Sequence, residues 1–198
     1  LELGDVYDSN RYTLHGMLRR AGMAFNDLGV VPDDREQIKN TFLRAADMAD
    51  VVITSAGASV GDADYVKDVL DEIGEVNFWK IAMKPGRPLS FGRIADSLFF
   101  GLPGNPVSVM VTFYQFVLPA LRRLSGETSW QPLRLQARTL DRLKKQRGRT
   151  EFQRGVLSQD DTGALVVSTT GEQGSGILSS MSQANCFVIL PVDSAGAQ

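Results

Sequence analysis

The stretch Gly101-Leu102-Pro103-Gly104-Asn105-Pro106-Val107-Ser108 separates a β-like apolar run from a long run with helical periodicity. Its glycines accept positive φ and a close approach of other groups, and Pro103 stiffens the turn. Asn105 is a favourable N-cap, which puts Pro106 at the first helical position. The stretch therefore predicts a strand, a turn and a helix whose free N–H groups, near Ser108, suit an anion such as phosphate. For this turn taken alone, a rigid connection without a ligand is the favoured alternative.

A second glycine-rich turn, residues 54–65, follows the apolar run Val51–Thr54, which is typical of a strand buried in a parallel sheet. Its small and hydroxyl residues leave backbone N–H groups free for a phosphate, although the lysine of a P-loop is missing. Asp64 lies directly after the Gly/Ser part of this turn. Its carboxylate would repel a bound phosphate unless a metal ion lay between them. Mg²⁺ is bound by one or two carboxylates plus substrate oxygens, so Asp64 and Asp33 are candidate ligands. Helix capping is the alternative for both.

Three basic residues, Lys80, Lys84 and Arg87, surround a Pro/Gly turn after a β-like run. Because alternate residues of a strand face the same side, Lys80 and Lys84 are predicted to point towards one anion. The alternative is that both are ordinary solvent-facing lysines.

Short apolar runs alternate with helical periods from residue 7 onwards, including a predicted strand at residues 23–28 and a helix capped by Asn10. This pattern predicts an α/β fold with a three-layer, doubly wound and mostly parallel sheet. Ligands bind at the carboxyl ends of the strands in such sheets, where both glycine-rich turns fall. Short strands separated by polar turns then predict a small all-β, barrel-like domain. The predicted division is residues 1–127 and residues 128–198.

Composition excludes several classes of protein. The 198-residue chain has a net charge of -2, which argues against a general nucleic-acid or membrane-surface binder. No apolar run has the length of a membrane helix. Cys186 is the single cysteine, so neither an intrachain disulfide nor a cysteine zinc cluster can form, in keeping with a reducing cytosol. Because the chain begins at Leu1 rather than Met, we expect it to be a fragment.

Taken together, these motifs resemble the molybdopterin molybdenumtransferase family of the MoeA type, which includes the gephyrin E domain. The resemblance covers essentially the whole chain in the family's order, and rests on residues 4–10, 55–65, 78–88, 101–108 and 174–181. The usual Ser-Gly-Gly-Val-Ser-Val-Gly loop reads Ser55-Ala56-Gly57-Ala58-Ser59-Val60-Gly61 here. We expect this chain to lack the N-terminal domains of the family.

The resemblance implies insertion of molybdate into adenylylated molybdopterin, with Mg²⁺-dependent release of AMP. It also implies a cytoplasmic homodimer, with a molybdopterin adenylyltransferase as a further partner and no nucleic acid or membrane. The residues expected to be catalytic are Asp64, Asp33, Lys80, Lys84, Pro103 and Pro106, with Asp64 and Asp33 as the metal ligands. The residues expected to bind the pterin and its anionic groups are Ser55, Gly57, Ser59, Gly61, Gly104, Asn105, Ser108, Ser175 and Ser179.

Two other functions stay open at this point. One is a non-enzymatic scaffold of the gephyrin E type, which uses the same fold. The other is a molybdopterin adenylyltransferase, a family that shares the α/β domain. That family carries a Gly-Gly-Thr-Gly loop and ends after one domain, so the loop at residues 56–59 and the appended β domain argue against it.

Overall fold

A computed structural model describes residues 7–55, 57–58 and 65–197. The first half of the chain contains both helices and strands, as the sequence predicts, although four of its strands follow one another without an intervening helix. The elements in order are α1 (Ser9–Arg20), α2 (Arg35–Met48), β1 (Val51–Thr54), α3 (Tyr65–Ile73), β2 (Gly74–Lys80), β3 (Met83–Lys84), β4 (Pro88–Ile94), β5 (Ser97–Gly101), α4 (Pro106–Thr112), a π-helical turn (Phe113–Val117) and α5 (Leu118–Leu124).

The first half has three layers. Its sheet has the strand order β1-β5-β4-β2. Apolar residues of α1, α4 and α5 form a buried cluster with Phe100 on one face, and those of α2 and α3 form another with Phe99 on the opposite face. Adjacent residues of a strand point to opposite faces, so β5 is buried on both sides. The predicted α/β class with helices on both faces of the sheet is confirmed.

The direction of the strands is mixed. β1 runs parallel to β5, whereas β4 is antiparallel to both β5 and β2. β4 and β5 are antiparallel because only residues 95–96 connect them. So short a connection can join only antiparallel strands. The expected mostly parallel arrangement therefore holds for the β1–β5 pair and not for the β5-β4-β2 meander.

Two local predictions are wrong. Residues 23–28 form no strand, although the exposure of their side chains alternates in part, because no described strand pairs with them. Asp8, rather than Asn10, caps α1 by accepting a hydrogen bond from the Arg11 N–H. Asp34 caps α2 through the Gln37 N–H, so helix capping, the alternative considered for Asp33, does not apply to that residue.

The second half of the chain is rich in β-strands, as predicted. Its elements are β6 (Arg138–Thr139), β7 (Leu143–Lys144), β8 (Thr150–Gln159), β9 (Leu165–Thr169), α6 (Ser179–Gln183), β10 (Cys186–Leu190) and β11 (Gly196–Ala197). The main sheet has the order β10-β8-β9-β6, and in the described part of the chain it does not return to its first strand. β3 from the first half adds to it, since Met83 and Lys84 pair in parallel with Thr150 and Glu151 of β8. The two halves thus share one sheet.

Acid should destabilise the second half through Asp141 and Asp160. Hydrogen bonds from the Thr169 N–H and hydroxyl lower the pKa of Asp141, and those from the Thr162 hydroxyl and N–H lower the pKa of Asp160. A carboxyl with a lowered folded pKa stabilises the fold above its unfolded pKa of about 3.9, and that stabilisation is lost as pH falls through the lower folded pKa.

We therefore expect the free energy of unfolding, measured with urea, to fall as pH drops below about 4. In a variant carrying Asp141→Asn and Asp160→Asn, stability should be lower at pH 7 and should fall less on acidification. Asp161→Asn is the control, because Asp161 is exposed in the same hairpin turn. The same pH dependence in the double variant and the unsubstituted chain would contradict the assignment.

Candidate functional site

The turn at residues 101–108 is a strand–turn–helix connection, as predicted. Pro103 is buried, Gly104 and Asn105 are exposed at the apex, and α4 begins at Pro106. Asn105 has an extended backbone and occupies the N-cap position, but its side chain makes no capping hydrogen bond. Its amide instead donates to the Ser175 hydroxyl over 3.2 Å.

Ser175 comes from the loop before α6 and meets the start of α4. The N–H of Val107 donates to the Ser175 carbonyl over 3.1 Å. One free donor of the α4 N-terminus is thereby satisfied by the second half of the chain. Of the two serines expected at the site, Ser175 is held against the turn, whereas Ser179 is the exposed first residue of α6. The structure thus joins two motifs that lie 70 residues apart.

The two glycine-rich turns also meet. The N–H of Leu102 donates to the Thr54 carbonyl over 2.8 Å, and the buried Ser90 hydroxyl of β4 donates to the Gly57 carbonyl over 3.0 Å. Gly57 has φ +77°, and a Cβ there would lie 2.3 Å from a methyl carbon of Val66. A Cβ on Gly101 would lie 2.0 Å from the Ser90 hydroxyl oxygen. Glycine is therefore required at Gly57 by its positive φ and by Val66, and at Gly101 by Ser90.

Asn10 adds α1 to the same region. Its amide donates to the Gly104 carbonyl over 2.7 Å. Its carboxamide oxygen is buried without a hydrogen-bond partner among the described residues. The sequence predicted Asn10 only as a helix cap, so its contact with Gly104 was not predicted.

The predicted basic pair is arranged differently from the expectation. β2 ends at Lys80, and Lys84 belongs to the separate strand β3, so alternation along one strand does not give the two side chains a common direction. Both residues are exposed. The Lys84 ammonium lies 3.4 Å from a carboxylate oxygen of Glu151, whose side chain is only 6% exposed. Lys84 thus faces the second half of the chain.

Three of the predicted site residues, Ser59, Gly61 and Asp64, lie outside the described residues. Of the two expected metal ligands, Asp33 is described, and it is exposed one residue before the N-cap of α2. Within the described ranges, no three His, Cys, Asp or Glu side chains are grouped as a metal site would require. An exposed carboxylate such as Asp33 is chemically suited to Mg²⁺, which accepts one or two carboxylates plus substrate oxygens.

Arg154 of β8 contacts the loop that carries Ser175, a role that was not predicted from the sequence. Its side chain is only 1% exposed, the least of any charged residue described. The guanidinium donates to the Ser180 hydroxyl and to the Gly174 carbonyl, each over 3.0 Å. No described carboxylate is within ion-pair distance of it. Burial lowers the pKa of Arg154, yet an arginine stays protonated at neutral pH.

The contacts of Arg154 fix the loop that carries Ser175. The Arg154 N–H donates to the Gln173 side-chain oxygen over 2.7 Å, so backbone and side chain together hold residues 173–180. A buried cation without a carboxylate partner is costly, so the hydrogen bonds to Ser180 and Gly174 are needed to stabilise it. The only indication of this role in the sequence is that Arg154 lies within the strand-like run 151–157.

Comparison with known proteins identifies the family. The model described as "Probable molybdopterin binding domain" matches residues 1–123, and "MoeA C-terminal region (domain IV)" matches residues 136–198. The chain belongs to the MoeA-type molybdopterin molybdenumtransferase family. The resemblance drawn from the motifs is thereby confirmed, and the two matches occur in the predicted order.

Members of this family from several organisms are similar over nearly the whole chain. A molybdopterin molybdenumtransferase of Haemophilus influenzae is 44% identical over 191 residues, which are 96% of this chain and 47% of that protein. Gephyrin of Dictyostelium discoideum is 36% identical over 96% of this chain and 31% of its own length. The chain thus spans about half the length, or less, of these relatives.

Solved structures of this family share the fold. A molybdopterin biosynthesis moeA protein of Pyrococcus horikoshii superposes with a TM-score of 0.75 at 30% identity, over 99% of this chain and 48% of its own. A molybdenum cofactor biosynthesis protein of Pyrococcus furiosus gives 0.74 at 27% identity, over 96% of this chain and 61% of its own. In the described part of the chain, no helix is long and apolar enough to cross a membrane.

Proposed function

We propose that the protein containing this chain inserts molybdate into adenylylated molybdopterin, with Mg²⁺-dependent release of AMP, in the biosynthesis of molybdenum cofactor. The observation that carries the proposal is the junction of the two glycine-rich turns with the start of α4 and the Ser175 loop. The relatives named molybdopterin molybdenumtransferase support it independently.

The chemistry of the junction suits the substrates. Molybdate and the phosphates of an adenylylated pterin are anions, which are bound by helix N-termini, by backbone N–H groups of glycine-rich turns and by basic side chains. In this proposal the start of α4, near Ser108, is the helix N-terminus and the turn at residues 55–61 provides backbone N–H groups. Lys80 and Lys84 would provide the positive charge, although Lys84 also pairs with Glu151. No covalent nucleophile is needed, because positioning and electrostatic stabilisation suffice for such a transfer.

The rigid residues around the turn keep these donors in place. Buried Pro103 and Pro106 at the first position of α4 restrict the backbone, and the Gly104 carbonyl is held by Asn10. The Ser175 loop is held by Arg154, whose buried charge adds to the field at the junction. Preorganised donors of this kind stabilise developing charge without moving during the reaction.

Asp64, assisted by Asp33, would hold Mg²⁺. When bound, Mg²⁺ neutralises the charge that develops on the phosphate as its bond breaks. The two carboxylates would also keep the substrate's phosphate oriented through the ion, which explains why a carboxylate follows an anion-binding turn.

Several further properties belong to the same proposal. We propose a division into a pterin-binding domain at residues 1–127 and a β domain at residues 128–198, in a cytoplasmic homodimer that receives its substrate from a molybdopterin adenylyltransferase. The length matched in the relatives supports a dependence on regions beyond this chain for catalysis. A non-enzymatic scaffold is the second candidate, because gephyrin is among the similar proteins.

The decisive test uses Asp64→Asn in the intact protein. With adenylylated molybdopterin, molybdate and Mg²⁺, we expect AMP release to fall by about two to three orders of magnitude, as when one transition-state electrostatic group is lost. The thermal midpoint should be unchanged, since asparagine has nearly the same volume as aspartate. AMP release is followed by chromatography and unfolding by circular dichroism.

Asp68→Asn, an exposed carboxylate in the first turn of α3, is the matched control and should keep full turnover. Full turnover in Asp64→Asn would refute the metal role of Asp64. No turnover in the unsubstituted intact protein, with substrate bound, would refute the enzymatic function and favour the scaffold.

A further inference from the structure

A cavity of about 280 Å³ lies at the far end of the long helical segment from the junction described above. The π-helical turn lines it with Tyr114, α5 with Arg122 and Arg123, and the following linker with Trp130 and Arg134. At 1.5 Å per residue, Tyr114 and Arg123 lie about 12 Å and about 25 Å along the helical segment from Pro106. The cavity is therefore a different place from the proposed pterin site.

The cavity carries an excess of positive charge. Three arginines line it against one carboxylate, Glu127. Arg122 and Glu127 neutralise each other through a 2.7 Å hydrogen bond. Arg123 and Arg134 make no ion pair with any described residue. About two positive charges are left over in a chain whose net charge is -2.

The wall of the cavity is rigid. The Arg122 guanidinium lies over the Trp130 ring, 4.9 Å from its centroid. Trp130 and Tyr114 pack in turn against the buried cluster beneath α1 and α4. The Nε of Arg122 is buried without a hydrogen-bond partner among the described residues. A guanidinium held by stacking and an ion pair loses little freedom when a ligand binds nearby.

The π-helical turn at Phe113–Val117 shapes the same wall. Pro119 has no N–H to offer the carbonyl of residue 115, and the Leu118 N–H bonds the Phe113 carbonyl five residues back. Such turns are rare and often occur at functional sites. Here the turn and Pro119 place Tyr114 and Arg122 around one cavity.

We propose that this cavity binds a small multivalent anion with phosphate or carboxylate groups. Arginine is suited to both because its planar fork donates two parallel hydrogen bonds to an oxyanion. The volume equals about nine water molecules at about 30 Å³ each, which is enough for pyrophosphate or citrate. The site does not depend on the proposed molybdenum insertion, so it can be tested on this chain alone.

Tryptophan fluorescence gives a direct test, because the chain has two tryptophans, Trp79 and Trp130. Trp79 is 56% exposed, so Trp79→Phe should be tolerated and leaves Trp130 as the sole reporter. This variant is titrated separately with pyrophosphate, with citrate and with sodium chloride at matched ionic strength. We expect a saturable change with pyrophosphate or citrate and none with chloride. Saturation by one alone assigns the ligand to the phosphate or to the carboxylate class.

Arg123→Gln and Arg134→Gln, added together, should weaken binding at least about tenfold, as expected for the loss of hydrogen bonds to charged groups. The matched control is Arg20→Gln with Arg44→Gln, which removes the same charge from exposed helix positions outside the cavity. The chemical shift of the Trp130 indole N–H, measured by NMR, is a second measure of binding, and the presence of this signal at its native position also shows that the variant is folded. Equal affinity in the two double variants, or responses indistinguishable from chloride, would overturn the proposal.

Discussion

Replacing Arg154 with methionine is expected to lower the proposed turnover of the intact protein by about two orders of magnitude, the effect of misplacing a positioning group by about 1 Å. The Gly174 carbonyl and the Ser180 hydroxyl would both lose the guanidinium that they now contact. Residues 173–180 would then be less well fixed, and Ser175 with them. Since Ser175 bonds both Asn105 and Val107, the start of α4 would lose its ordered partner.

Stability should respond much less than activity. Methionine removes the cost of burying a charge, which offsets part of the loss, although it also leaves two acceptors without their donor. We expect the free energy of unfolding to fall by about 1–2 kcal/mol, because the two contributions have opposite signs. Turnover is measured as AMP release, and stability is measured by urea unfolding of the same preparations.

Arg154→Lys separates charge from geometry. A lysine keeps the charge, but its single ammonium cannot reproduce the planar fork that reaches both Gly174 and Ser180. We therefore expect this variant to retain part of the activity. Arg138→Met is the control, because Arg138 on β6 is exposed and pairs only with Asp160 in the described structure. Arg154→Met with the turnover of that control would contradict the role given to Arg154.

Local rules explain why the 101–108 turn could be predicted from sequence. The helix start depends on Asn105 and Pro106, whose preferences act over one or two residues. The apolar periods on either side give the strand and the helix directly. The same rules mislead where neighbours compete, since Asp8 took the cap predicted for Asn10.

The long-range contacts of the site left no comparable signal. The Asn105–Ser175 and Ser90–Gly57 bonds join residues that are 70 and 33 positions apart, and no periodicity encodes such pairs. Strand direction depended on the short connection at residues 95–96 rather than on the α/β alternation. Arg154 was missed because burial of an arginine is decided by the fold around it and not by its neighbours in sequence.

Gly101→Ala is expected to destabilise the protein by about 1–3 kcal/mol, the usual cost of adding a methyl group to a filled interior. The new Cβ would lie 2.0 Å from the Ser90 hydroxyl oxygen and 3.2 Å from the Gly57 carbonyl oxygen. Ser90 is fully buried and pairs directly with Gly101 across β4 and β5, so its hydroxyl has little room to move away. The free energy of unfolding in urea measures the effect. Gly104→Ala is the control at about 0.5 kcal/mol or less, because a Cβ there meets nothing within 4 Å.

The mechanism is tested by combining Gly101→Ala with Ser90→Ala. Ser90→Ala alone should cost about 1–3 kcal/mol, because it leaves the Gly57 carbonyl without its donor. It also vacates the space that the new methyl group needs, so the double variant should be more stable than the sum of the two single losses predicts. A coupling of about 1 kcal/mol or more is expected for such a contact pair. Additive losses, or a Gly101→Ala variant as stable as Gly104→Ala, would show that Ser90 does not link the two glycine-rich turns. Because the hydroxyl of Ser90 both fills this space and holds Gly57, a non-additive result would tie the geometry of the first turn to that of the second.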